Sequence, residues 1–69
     1  MPLAMAQVGD ENIIKRISGR DEVRQHLAEL GFVVGEEVQI VSEMGGNLIL
    51  AIKGARIALD KTMAMRIMV

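Results

Sequence analysis

Few residues of this 69-residue chain have the types and spacing that catalysis or metal binding requires. His26 is the only histidine and there is no cysteine, so a nonheme iron site, which needs two histidines and a carboxylate, cannot be assembled. Ser18 and Ser42 have no histidine near them in sequence to act as a base. We therefore predict no catalytic residues, no resident metal site and no cofactor, and a protein that is not an enzyme.

Methionine offers a second candidate chemistry, because thioether sulfur is a soft ligand that suits Cu(I). Met63, Met65 and Met68 lie close together in the segment MAMRIM. In a chain whose only aromatic residue is Phe32, methionine is more often the filler of an irregular core. A packing role is the preferred interpretation, and copper binding is the alternative.

Charge and composition narrow the class of partner. Eight basic and nine acidic side chains are interspersed, so the chain lacks the basic field that attracts nucleic acid or anionic lipid. No segment has the length of an apolar membrane span, and the absence of cysteine is typical of a reducing cytoplasm. These observations predict a cytoplasmic protein that neither binds nucleic acid nor inserts into a membrane.

The clearest predicted element is an α-helix at about residues 19–30. Ser18 and Asp21 have the spacing of a capping box, which predicts that the Ser18 side chain caps this helix. Three apolar side chains recur at helical spacing and are expected to face the core: Val23, Leu27 and Leu30.

Two glycines are predicted to turn this helix into a strand. Gly31 is placed to end the helix in a left-handed conformation, which lets Phe32 fold back onto Leu27. Gly35 is placed at the third position of a tight turn, where a positive φ is needed. The chain would thereby reverse direction within a few residues.

Beyond Gly35 the hydrophobic period becomes two residues. The segments EVQIVSE, NLILAIK and RIALD alternate, and the glycines between them are typical of hairpins. ENIIKRI predicts a further strand with an irregular step, and Asp60 is placed to cap a short helical turn before a closing strand. Connections this short exclude a parallel sheet. The prediction is a mainly β fold, a small antiparallel β-barrel with one α-helix.

The order of these features resembles the ferrous-iron transport protein A family, FeoA. The matching parts are HLAELGF, Gly35, VQI, a glycine hairpin, LILAIKGARIAL and IMV, spread over nearly the whole chain. The resemblance implies that residues 1–69 form a single SH3-like domain. It also implies a noncatalytic cytoplasmic accessory of ferrous iron transport, acting by protein contact with the membrane GTPase transporter FeoB. The family is similar to the SH3-like C-terminal domain of metal-dependent repressors, so a domain of that type is the alternative.

A contact surface for such a partner is expected on the outward side of the helix and its exit turn. A small barrel with few ligand residues offers surface for contacts. The family usually has proline where this chain has Val34, so the exit turn is expected to be looser. A homo-oligomer is left open. The candidate contact residues are Arg20, Arg24, Gln25, His26, Phe32 and Val33.

Overall fold

The computed structural model describes all 69 residues. Two antiparallel sheets, one longer α-helix and two short helical turns surround one apolar core. In chain order, the elements are a 3₁₀ turn Leu3–Met5, β1 Glu11–Ile13, β2 Arg16–Ile17, α1 Asp21–Glu29, β3 Glu37–Met44, β4 Asn47–Ile52, β5 Ala55–Asp60, α2 Lys61–Ala64 and β6 Ile67–Met68. The larger sheet has the order β1-β3-β4-β5, and the smaller one pairs β2 with β6. The mainly β prediction is confirmed. The two sheets are not joined by a continuous hydrogen-bonded ladder, so the barrel is not closed.

The chain crosses from one sheet to the other between β1 and β2. The Ile14 N–H donates to the carbonyl of Glu36 at 2.9 Å, and the Lys15 N–H donates to the carbonyl of Met68 at 2.7 Å. Successive residues thus bond to different sheets, while the Ile14 side chain is buried in the core. The irregular step predicted within ENIIKRI is this crossing.

Thirteen buried apolar side chains form the core, and no polar or charged residue is buried. β4 and the first half of β3 place every second side chain inside, as their sequences predicted, and a register shift after Ile40 ends the alternation in β3. Burying one such side chain contributes about 1.5 to 3 kcal/mol. The core consists of Leu3, Ile14, Leu27, Phe32, Val38, Ile40, Leu48, Leu50, Ile52, Leu59, Ala64, Ile67 and Val69.

The beginning of α1 differs from the prediction. The N-cap residue is Arg20, with no side-chain cap hydrogen bond, and the helix starts at Asp21. Ser18 donates twice to the carbonyl of Arg66, from its N–H at 2.8 Å and from its Oγ at 3.3 Å. These bonds extend the pairing of β2 with β6. The Ser18 hydroxyl is therefore hydrogen-bonded to Arg66 and does not cap α1. The predicted capping box is therefore wrong.

The end of α1 has the predicted geometry. Gly31 has φ 106°, and its N–H donates to the Ala28 carbonyl at 3.0 Å. The Phe32 N–H donates to the Leu27 carbonyl at 2.9 Å, which completes the pair of bonds that defines a Schellman motif. Leu27 and Phe32 then lie in the same buried cluster. The prediction that Phe32 folds back into the core is confirmed.

The turn after Phe32 also follows the prediction. Gly35 has φ 94°, and the Glu36 N–H closes the turn by donating to the Val33 carbonyl at 3.1 Å. The Gly35 N–H donates to the Ile14 carbonyl at 2.8 Å. This bond ties the helix-to-strand turn to the crossing between the two sheets.

The remaining turns are short. Gly45 and Gly46 connect β3 to β4, while Lys53 and Gly54, with φ 50° and 78°, connect β4 to β5. Asp60 caps α2, since its Oδ1 accepts from the Met63 N–H at 2.8 Å. The predicted hairpins and the predicted short helical turn are confirmed.

Replacing Gly35 by alanine tests the helix-to-strand turn. A Cβ at Gly35 would have no heavy atom within 4 Å, so any loss comes from the positive φ alone. Gly35→Ala should lower the free energy of unfolding by about 1 to 2 kcal/mol, measured by urea denaturation. Gly46→Ala is the matched control, because its Cβ is equally free and its φ lies outside the left-handed region. Equal losses in the two variants would contradict this account.

Candidate interaction surface

A shallow depression lies where β2 meets the first turns of α1 and the turn that follows Phe32. Its volume is about 650 Å³ and it is widely open to solvent. Three separate elements contribute to it, and two of the lining residues are apolar. An open hollow of this kind suits contact with another surface. The lining residues are Arg16, Ile17, Asp21, Arg24, Gln25 and Val34.

The depression carries a net positive charge. Arg24 pairs with Asp21 one turn earlier on α1, and both side chains remain largely exposed. An exposed pair of this kind contributes at most about 1 kcal/mol to stability, although it restricts where the guanidinium points. Arg16 forms no ion pair within the chain, so its positive charge is not compensated. A carboxylate on a binding partner would complement this charge.

Apolar side chains supply the rest of the depression. Val34 is 64% exposed, and Ile17 is partly buried against the core. Val34 sits at the tip of the tight turn, where the backbone bonds of Gly35 and Glu36 hold it away from the core. The depression thus offers hydrophobic and charged contacts in one place.

The structure brings two of the predicted contact residues into the depression, Arg24 and Gln25. Arg20, the N-cap of α1, and His26 on α1 are exposed but do not line the depression, and Val33 is partly buried. Their role in binding stays a prediction.

The prediction that Phe32 is a contact residue is wrong. Its exposed fraction is 0%, because the Schellman motif turns its side chain inward. Sequence reasoning missed Arg16 and Ile17, which lie on a strand distant in the chain from the helix exit. The sequence did draw attention to Val34, because this residue stands where the FeoA family usually has proline.

The three methionines near the C-terminus are spread over different elements. Met63 lies in α2 and packs against the core, Met65 is the partly exposed C-cap of that helix, and Met68 lies on β6. The packing role predicted for methionine is confirmed for Met63. No group of three or more His, Cys, Asp or Glu side chains is close enough together to hold a metal ion.

Two carboxylates of like charge lie on the outer face of the larger sheet. Glu11 on β1 and Glu37 on β3 are diagonal neighbours, because Glu11 pairs with Gln39 and Ile13 pairs with Glu37. A hydrogen bond with Glu11, and then the negative charge of Glu11, raise the pKa of Glu37 above its ordinary value. The Glu37 carboxyl therefore holds its proton more tightly in the folded chain than in the unfolded one. Stability falls as the pH rises from the ordinary pKa of glutamate through the raised pKa of Glu37.

Glu37→Gln should raise the thermal midpoint slightly at neutral pH, because it removes the repulsion by Glu11. The gain should vanish in acid, below the raised pKa of Glu37, where the Glu37 carboxyl is protonated and already neutral. Glu11→Gln is the matched variant and should give a similar gain, with little more in the double variant. Thermal melts at the two pH values would contradict the coupling if the two gains simply add.

A comparison with models of protein families matches the whole chain to one family. Residues 1–69 match the model described as the FeoA domain. A protein of Methanocaldococcus jannaschii, provisionally named Fe(2+) transport protein A, is 35% identical over 68 residues, which cover 99% of this chain and 83% of that protein. Neither α-helix has the length and hydrophobicity that a membrane span requires.

Solved structures share the fold. FeoA of Stenotrophomonas maltophilia, crystallised with zinc and described as an SH3 domain protein, is 28% identical with a TM-score of 0.86, and the match covers 99% of this chain and 87% of that one. A manganese-dependent transcriptional repressor is 23% identical with a TM-score of 0.87, over 97% of this chain and 39% of the repressor. The SH3-like fold is confirmed, and the repressor likeness shows the fold alone.

Proposed function

The chain belongs to the FeoA family, which is implicated in ferrous iron transport, and on that premise we propose that it is a noncatalytic accessory protein acting by contact with a FeoB-type GTPase transporter. The contact would be made on the cytoplasmic side of the membrane. Iron is then the cargo of the transporter, and this chain contributes a binding surface. The observation that carries the proposal is the depression between β2, α1 and the tight turn.

The chemistry of the depression indicates what a partner must present. Arg16, which forms no ion pair within the chain, can bind a carboxylate with two parallel hydrogen bonds, a geometry that lysine cannot provide. Arg24 contacts Asp21 through one nitrogen, and its other N–H groups can donate to the same partner. Val34 and Ile17 add apolar area, and its removal from water on binding favours a complex. An acidic segment with one or two apolar side chains would therefore complement this surface.

The way the depression is built favours binding without large rearrangement. Asp21 already restricts the Arg24 side chain, so less rotamer freedom is lost when a partner binds. Backbone hydrogen bonds hold the turn that carries Val34 against the crossing between the sheets. Arg20 and His26 lie on the exposed surface of the same helix and would extend the contact at its rim.

The alternative, an SH3-like domain of a metal-dependent repressor, has weaker support. The repressor likeness is below 25% identity and extends over 39% of that protein. The FeoA model, in contrast, matches residues 1–69. A repressor-type domain would work through contacts with other domains of its own chain, so it would show no affinity for the transporter.

Charge reversal at Arg24 tests the proposed surface. Arg24→Glu should weaken binding to the purified cytoplasmic GTP-binding domain of a FeoB transporter about tenfold, because it places a negative charge where a carboxylate is expected. Val34→Asp should weaken binding as well, since the apolar contact at the tip of the turn is lost. Isothermal titration calorimetry measures both affinities.

Arg56→Glu is the matched control, because Arg56 is exposed and lies outside the depression. It should bind as the parent chain does. Full binding by both Arg24→Glu and Val34→Asp would show that the surface is wrong. No binding by the parent chain would instead contradict the proposed partner.

A further inference from the structure

The outer edge of β5 is an unpaired strand edge. β5 pairs with β4 in an unbroken register from Ala55 to Asp60, and no strand lies on its other side. The Lys61 N–H continues this ladder by donating to the Gly46 carbonyl at 3.1 Å. Because backbone groups alternate in direction along an antiparallel strand, those of Arg56 and Ala58 and the N–H of Asp60 point outward.

Natural sheets usually protect their edges with short strands, proline, a bulge or charged side chains, lysine above all. The opposite edge of this sheet follows that rule, since β1 has three residues before the chain crosses to the other sheet. β5 has six residues and neither proline, lysine nor a register shift. Its only protection is two exposed charged side chains, Arg56 and Asp60, and these are of opposite sign.

The outward positions of β5 are complementary to themselves. Arg56, Ala58 and Asp60 are exposed and lie on one face of the strand. Arg56 and Asp60 form no ion pair within the chain. The Oδ1 atom of Asp60 accepts the α2 cap bond, and its second oxygen is free to accept from a partner.

From these observations we infer that a second copy of this chain pairs its β5 with this edge, antiparallel and about a twofold axis at Ala58. Arg56 of each copy then faces Asp60 of the other, and the two Ala58 residues face each other. This register also brings the outward backbone groups opposite one another, so they hydrogen-bond across the axis. Registers centred on Arg56 or on Asp60 would oppose like charges.

The resulting dimer joins two four-stranded sheets into one continuous sheet with an isologous interface. No residue of β5 lines the depression between β2 and α1, so both copies keep it free. The dimer therefore uses none of the residues that line the proposed transporter contact.

Cysteine cross-linking tests the register, because the chain contains no cysteine of its own. In Ala58→Cys the two Cα atoms should lie about 5.5 Å apart, within reach of a disulfide, and oxidation should give a covalent dimer. Ala55→Cys is the matched control, an exposed alanine on the same strand whose two copies would be about 20 Å apart. Equal cross-linking of the two variants would overturn the register.

Sedimentation equilibrium of the full chain tests the dimer without cross-linking. The parent chain, 7.5 kDa as a monomer, should show twice that mass as concentration rises. Arg56→Glu should raise the dimer dissociation constant at least tenfold, and Asp60→Asn, which keeps a side chain able to cap α2, should raise it severalfold. Arg20→Glu makes the same charge change outside β5 and should leave it unchanged.

A parent chain that stays monomeric at about millimolar concentration would overturn the proposal. The edge would then be available to an extended segment of a different protein. Unchanged dimerisation in both Arg56→Glu and Asp60→Asn would also overturn it, because the charge complementarity that selects this register would have no effect.

Discussion

The reversal of the chain between α1 and β3 is the constraint on which the rest of this structure depends. Two backbone hydrogen bonds close the helix, from Gly31 to Ala28 and from Phe32 to Leu27. They direct the only aromatic side chain into a core that is otherwise aliphatic. Because a domain of this size has few large side chains to bury, the position of Phe32 has a large share in its stability.

The same reversal determines where the contact surface lies. Gly35 bonds to the Ile14 carbonyl, so the turn after the helix is held at the point where the chain crosses between the sheets. The start of α1, the strand β2 and the tip of this turn are thereby brought together around the depression. The backbone turns that end α1 thus also bring together the residues that give the depression its shape and charge.

Charged side chains have a different role from the core in this protein. None is buried, and the ion pairs of the chain are exposed, so their contribution to folding is small. Their arrangement distinguishes one surface from another: two arginines flank the depression, two glutamates repel each other on the sheet face, and Arg56 and Asp60 lie along a free strand edge. These features bear on which partners can approach and in which register.

The sequence by itself determined the elements and their turns. Helical spacing, alternation and the glycines predicted α1, the hairpins and the inward position of Phe32, because these depend on residues a few positions apart. Only the tertiary structure decided that Ser18 bonds to Arg66 rather than capping the helix, and that Arg16 and Val34 share a depression with Arg24. It also decided that the two sheets stay separate and leave β5 with a free edge. These outcomes depend on contacts between residues far apart in the chain, where backbone groups compete for partners that local spacing does not reveal.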